Sequence, residues 1–396
     1  MASSKRKIKN TTEILIFAFL VLFPFGQIIR INLNLLGSSI VLHPIDLIAG
    51  VGLFIFLMEN FKKPKIFGYL LTFLGVALFS YLLSFAILGG ERLYVGGLYL
   101  FRLFAYTSFF LLAWNTAKND KKYSKKLLGS LIYVVLAVSL FGFLQYFIYP
   151  DITTFTIWGW DDHYYRLLGT FLDPGHTSII LVFGFLAALV KYLEEKNKRL
   201  LPILGIILIS IAFTYSRAGY LALVSGIFVV AFVKKNTKLL ITLISLFALT
   251  VILLPRPGGE GVKLERTASI ALRIEDYGDT LSIFKKAPLF GVGYNNMCLA
   301  RTEYLSQFNP NSHACSGSAS SLLLILATTG ILGLIVFIKL IGEIVSGLAK
   351  YVYGITFLSC LVALLVHSMF VNSLLYPWVM GWMGLLLSIS MKTTKE

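Results

Sequence analysis

Eight arginines stand in alternate segments between the apolar runs of this chain: Arg30, Arg92, Arg166, Arg217, Arg256, Arg266, Arg273 and Arg301. A guanidinium is a planar fork that meets phosphate or carboxylate oxygens two at a time, so a face rich in arginine suits an anionic ligand. The opposite set of segments carries almost only lysine. Two of the arginine-bearing segments, 150–176 and 255–317, are too long to be mere connectors. In the second, Ile270, Ile274, Tyr277, Leu281 and Phe284 recur at spacings of 4, 3, 4 and 3, one face of a helix that Pro288 closes. Such a helix is expected to lie on a membrane surface. Arg266 and Arg273 are seven residues apart, so if the helix reaches back that far they share a face and address one ligand. The plainer alternative is that they meet lipid headgroups.

The elements that must position these residues are membrane-embedded. Of 396 residues 57% are hydrophobic and 14% charged, with mean hydropathy +0.81, whereas soluble domains carry about 25% charged residues. Twelve apolar runs approach the ~20 residues a helix needs to cross a bilayer: 13–29, 38–58, 66–88, 94–114, 127–149, 177–193, 200–215, 217–233, 239–254, 318–341, 351–371 and 373–391. The narrowest separations are the hairpins at Tyr215-Ser216-Arg217 and around Asn372. The expected fold is therefore all-α, one polytopic membrane domain over 1–396 with about 12 transmembrane helices and a large extracytoplasmic loop carrying a short amphipathic helix.

Charge placement supports the count, because lysine and arginine are retained on the cytoplasmic side of short loops. With both termini cytoplasmic, the inner segments hold 23 basic and 7 acidic residues, while the outer loops hold 11 of each. The net charge of +16 thus marks topology. A nucleic-acid binder would gather its basic residues on one soluble surface, so no nucleic-acid partner is expected; membrane lipid is. The first span is read as retained, with no cleavage site after it. Cys360 falls in a span. Cys298 and Cys315 lie in the large outer loop, where a bridge between them and two free thiols are both open readings. No metal framework and no cofactor are expected.

Four strings occur together in order: Arg166-Leu167-Leu168-Gly169-Thr170-Phe171-Leu172-Asp173-Pro174; Thr214-Tyr215-Ser216-Arg217-Ala218-Gly219-Tyr220; Arg273 with Pro288-Leu289-Phe290-Gly291-Val292-Gly293-Tyr294; and Ala327-Thr328-Thr329-Gly330-Ile331-Leu332-Gly333-Leu334. Over about 160–335 the chain resembles the O-antigen ligase and polymerase superfamily. That resemblance implies a GT-C-like, metal-independent, inverting glycosyltransferase of the cytoplasmic (inner) membrane. Such enzymes move a glycan from a polyprenyl diphosphate carrier to a glycan, lipid or protein acceptor. By position, Arg217 and Arg273 correspond to arginines that hold the donor diphosphate, whose growing negative charge fixed guanidiniums stabilise. The family's His-Asn, eleven residues before the first glycine of Gly-Ile-Leu-Gly, is replaced here by Ala319-Ser320. His313 is then the candidate to activate or orient the acceptor, and Tyr277 stands where a tryptophan is common.

Other residues have a functional and a structural account. Arg102, within the fourth span, is expected to pair with Asp46 or to line the donor's approach. His176 either caps the sixth span or contacts acceptor, and Arg166 and Arg266 are further substrate-binding candidates. Trp158 and Trp160, beside Asp161, Asp162 and His163, are read as an interfacial aromatic belt, a simpler account than sugar stacking. A transporter or flippase is the main rival class, but it would place ionisable groups near the bilayer midplane. Peptidoglycan polymerases of the shape, elongation and division type form a third option, without their acidic signature here.

Overall fold

The computed structural model describes residues 2–35, 38–89, 94–118, 120–158, 160–305, 308, 315 and 317–392. The chain begins with α1 (Ala2–Leu22), a hairpin of β1 (Ile31–Leu35) and β2 (Ser38–Leu42), and α2 (Pro44–Met58). Then come α3 (Phe67–Ile87), α4 (Tyr94–Ala117), α5 (Lys121–Ile148), α6 (Pro174–Glu195), α7 (Leu200–Phe213), α8 (Arg217–Val233) and α9 (Thr237–Ile252). The rest of the chain forms α10 (Ala268–Lys286), α11 (Met297–Tyr304), α12 (Ser321–Ser346), α13 (Val352–His367) and α14 (Pro377–Ser390). Each of the twelve predicted runs holds one apolar helix. Six (Ile8–Phe25 around α1, and α3, α4, α5, α6 and α12) are long and apolar enough to cross a membrane; α2, α7, α8, α9, α13 and α14 are shorter.

The fold is nearly all-α rather than wholly so. Residues 38–42, read as the start of the second span, instead pair antiparallel with 31–35. The reason is local: Pro44 is the first helical residue, and the residue before a proline is driven out of the helical region. His43 is accordingly extended (φ −107°, ψ 150°), and the Asp46 carboxylate accepts the His43 N–H at 3.1 Å to complete the cap.

Helix α6 is the axis of the bundle, with Ile179 to Val190 almost wholly buried. Small residues let its neighbours approach, the usual route to tight packing where lipid offers no hydrophobic contrast. A side chain at Gly184 would strike Val135 of α5, and one at Gly226 of α8 would strike Leu186. Phe183 stacks on Trp382 of α14 with centroids 5.0 Å apart. At one end of the bundle the lysine-bearing segments meet: Lys9 reaches Asp120 at 3.1 Å, Lys125 reaches Glu195 at 3.2 Å, and Lys234 reaches Glu194 at 2.9 Å. Away from that end, Arg166, Arg217, Arg266 and Arg273 come together.

Helix α12 is broken at Gly330 (φ 69°, ψ −174°). A broken helix leaves backbone groups without intrahelical partners, which must be satisfied where water is scarce. The re-entry segment 288–293 supplies them: Val292 and Gly293 donate N–H to the carbonyls of Ala327 and Thr328 at 3.0 and 3.2 Å. In return Ile331 and Leu332 donate to Pro288 and Leu289 at 2.9 and 3.3 Å. Gly291 and Gly330 both have positive φ, and a Cβ on either would collide with the opposing backbone. The glycine motifs on the two segments are thus two halves of one backbone joint.

Candidate functional site

Helices α7 and α8 are joined by a turn so tight that Tyr215 takes a left-handed conformation (φ 48°) while almost fully buried. Ser216 caps α8 by accepting the Gly219 N–H at 3.2 Å, which puts Arg217 on the first turn facing out of the bundle. Two further arginines clamp the turn. Arg166, 6% exposed, donates to the carbonyls of Thr214 and Tyr215 at 3.0 and 3.2 Å. Arg266 donates to Tyr215 O at 3.3 Å and to the carbonyls of Gly261 and Lys263. Arg217 in turn holds the outer loop, donating to Leu264 O, Arg266 O and Ser269 Oγ at 3.2, 2.8 and 2.6 Å.

Helix α10 forms where the spacing places it, but it starts at Ala268, so Arg266 precedes it. Its inward stripe is Arg273, Asp276, Tyr277, Thr280 and Ile283, whereas Ile270, Leu272, Ile274 and Leu281 are 40 to 66% exposed. That apolar exposure on one side suits a helix resting on lipid. Arg273 Nε donates to Phe370 O at 3.1 Å and the Tyr277 hydroxyl to Met369 O, fastening α10 to the connection after α13.

Arg166, Arg217, Arg266 and Arg273 thereby line one chamber of about 360 Å³, with Asp161, His163, Asp173, Ala319 and Asn372 among its other walls. None of the four forms an ion pair with a carboxylate among the described residues. A guanidinium whose partners are carbonyls keeps its full charge, so the four repel. Burial, then the nearby Arg266, pushes Arg166 down to about 9. Arg266 is lowered by burial and by Arg217 and Arg273, and Arg273 by burial and Arg217. Burial alone would raise the Asp173 carboxyl, but the His176 ring and N–H hold it well below the usual carboxylate range. Burial, then Arg166, pushes His163 down to about 4, leaving a neutral ring whose buried Nε2 has no hydrogen-bond partner. Asp161, His163 and Asp173 bring ligand atoms within 4.8 Å of one another, the one such grouping among the described residues.

A second chamber of about 520 Å³ adjoins the first, sharing Asp161, Asp173 and Asn372 as a common wall. Arg102 and His176 belong here rather than with the four arginines. Arg102 is paired with Asp46 at 2.7 Å, and the Tyr106 hydroxyl donates to the same carboxylate at 3.2 Å. Asp173 caps α6 by accepting the His176 N–H at 2.6 Å, and the His176 ring lies 2.9 Å from it. Two apolar grooves open onto this chamber, one along Phe25, Ile28, Phe141 and Ile148, the other along Leu47, Val51, Phe54 and Leu98. His313 lies outside the described residues.

Sequence reasoning missed two features. Trp160 is no mere belt residue: it lines the second chamber with Arg30 over its ring at 5.2 Å. Asp276 pairs with the almost fully buried Arg301 and also accepts from Ser318 Oγ and the Ala319 N–H at 2.8 and 2.7 Å, fixing the lead into α12. None of the three contacts of Asp276 has a local pattern, because the partners are 25 to 43 residues apart. Cys298 and Cys315 are disulfide-bonded, which decides between the two open readings.

Residues 202–338, from α7 to α12, match the family model described as O-antigen ligase. Over this stretch, about a third of its length, the chain is similar to the O-antigen ligase family. Together with its apolar helices, this similarity fits a multi-pass membrane protein. No curated protein matches it. The matched stretch contains Arg217, Arg266 and Arg273 and both halves of the glycine joint, whereas Arg166 and Asp173 reach the chambers from the loop before α6 and His176 from its first turn.

Proposed function

We propose that this protein transfers a glycan from a polyprenyl diphosphate carrier to an acceptor hydroxyl on the outer face of the cytoplasmic membrane. The observation that carries the reading is the chamber in which four guanidiniums from three segments converge without a carboxylate partner. Like charges are held together only by a framework that overrides their repulsion, and such a cluster is complementary to an anion. A diphosphate fits: its charge grows as the sugar bond breaks, so preorganised cations stabilise the transition state more than the ground state. Arg217 and Arg273 are the diphosphate ligands; Arg166 and Arg266 add charge and hold the turn. The apolar grooves offer the carrier's hydrocarbon tail a route from the bilayer.

In the step proposed, the acceptor oxygen bonds to the anomeric carbon from the face opposite the diphosphate. The bond from that carbon to the phosphate oxygen breaks, the diphosphate leaves with the electron pair, and the configuration inverts. The hydroxyl proton passes to a base, for which His313 is the sequence candidate. Polymerisation of repeat units and single ligation use the same step and differ in the acceptor. A flippase is disfavoured because its ionisable groups would sit near the bilayer midplane, whereas Arg217 begins α8 and the other three lie in the long segments before α6 and between α9 and α12.

The test is glycan transfer in cells whose own copy of the gene is removed. Arg217→Ala and Arg273→Ala should each abolish the surface glycan while the amount of protein in membranes is unchanged. Full glycan from both variants would end the enzyme reading.

A further inference from the structure

We propose that the 520 Å³ chamber binds an uncharged sugar residue and holds it against the arginine chamber, an inference that rests on the diphosphate reading above. The two chambers differ in charge. The first sets four guanidiniums against the carboxylates of Asp161 and Asp173. In the second, Arg30, Arg102 and the His176 ring stand against Asp161, Asp173 and the Asp46 that grips Arg102. The first therefore carries surplus positive charge; the second does not, and would desolvate an anionic group without compensation.

The remaining lining has the chemistry of a carbohydrate site. Trp160 and Tyr99 line it with an arginine over one ring face each, Arg30 and Arg102, which leaves the other face of each ring for the C–H face of a pyranose. Gln27, Asn295 and Asn372 offer amides, each of which can donate and accept and so suits hydroxyls that do both. Gln27 is already oriented by its hydrogen bond to the Tyr376 hydroxyl at 3.1 Å. The volume lies within the range of small-molecule sites. Because Asp161, Asp173 and Asn372 face both chambers, a sugar held in one lies beside a diphosphate held in the other. That sugar could come from the acceptor or from the donor glycan, and the chemistry of recognition is the same for both.

The experiment uses the full chain in detergent micelles. Saturation-transfer NMR with a panel of methyl hexosides reads the sugar site, and equilibrium dialysis with farnesyl diphosphate reads the arginine chamber. At least one hexoside should receive saturation. Its affinity should fall about tenfold in Trp160→Ala, the usual cost of removing an aromatic anchor, and recover in Trp160→Phe. Inorganic pyrophosphate, which has no tail to place in the apolar groove that Trp160 also lines, should bind within about twofold of wild type, which also shows that the variant is folded. If farnesyl diphosphate binds but no hexoside does, or if Trp160→Ala binds the hexoside as well as wild type, this inference is overturned and the arginine reading stands. If wild type fails to bind farnesyl diphosphate, the parent reading falls and takes this one with it. In transferring membranes, Trp160→Ala should raise the concentration for half-maximal rate of the acceptor if the acceptor sugar occupies the chamber, and of the donor if the donor sugar does. No change in either overturns the proposal.

Discussion

Arg217→Ala should separate function from stability, because the residue is held in a cluster that costs the fold energy. A chamber of about 360 Å³ has the volume of a sphere about 9 Å across, so two guanidiniums on its walls repel by roughly 2 kcal/mol at an effective dielectric near 20. Arg217 opposes both Arg266 and Arg273, which makes about 4 kcal/mol before solvent screening and less after it. Against this, Arg217 donates three hydrogen bonds to Leu264, Arg266 and Ser269, worth about 1 kcal/mol each. The two effects nearly cancel, so the thermal midpoint of the variant in detergent should lie within a few degrees of wild type. Glycan transfer should nonetheless fall on the order of 100- to 1000-fold, the loss expected when one preorganised donor to a developing anion is removed. Inorganic pyrophosphate should raise the midpoint of wild type by mass action and leave that of the variant unmoved. A variant that keeps more than about a tenth of the transfer rate would refute this reasoning, since the loss predicted for such a donor is far larger. So would an inactive variant whose midpoint has dropped by about ten degrees or more, because Arg217 would then be a structural clamp.

Three further outcomes are expected. Asp276→Ala strands the buried Arg301 guanidinium and frees the lead into α12; a loss of about 3 to 5 kcal/mol should appear as less protein in membranes and a lower midpoint, and an unchanged midpoint would show that the pair is dispensable. Cys298→Ser opens a bridge that spans 17 residues, so the midpoint should fall by an amount corresponding to about 3 kcal/mol and reductant should then have no further effect. His163 is depressed to about 4 in the fold from an ordinary 6.5; the unfolded chain therefore binds the extra proton first, and stability present above pH 6.5 declines as pH falls towards 4. His163→Gln should flatten that part of the midpoint-against-pH curve, and an unchanged slope would assign the decline to other groups.

Local features were legible where they depend on local physics. Apolar length located twelve helices, and the spacing of Ile270, Ile274, Tyr277, Leu281 and Phe284 located α10. The sequence missed the strand at 38–42 because hydropathy does not distinguish an apolar strand from a helix; Pro44 was the signal that could have done so. The amphipathic reading of α10 was right about its existence and incomplete about its faces, since the side turned to the protein carries Arg273, Asp276 and Thr280. The substitution of Ala319 for the family histidine was visible as a gap in a motif. That position 319 faces the arginine chamber was not.

By itself the sequence determined that the chain is rich in membrane-length apolar runs, that lysine and arginine fall in alternate sets of segments, and that a stretch of it resembles the O-antigen ligase and polymerase superfamily. Those properties are sums over neighbouring residues, and neighbouring residues are what a sequence displays. Only the tertiary structure decided that Arg166 and Arg266 clamp the Tyr215 turn, that Arg102 is taken up by Asp46, and that Trp160 walls a chamber beside the arginines. Each of these joins residues about 50 or more positions apart, or loops from different parts of the bundle. Their meeting depends on how the helices pack, which no local pattern specifies.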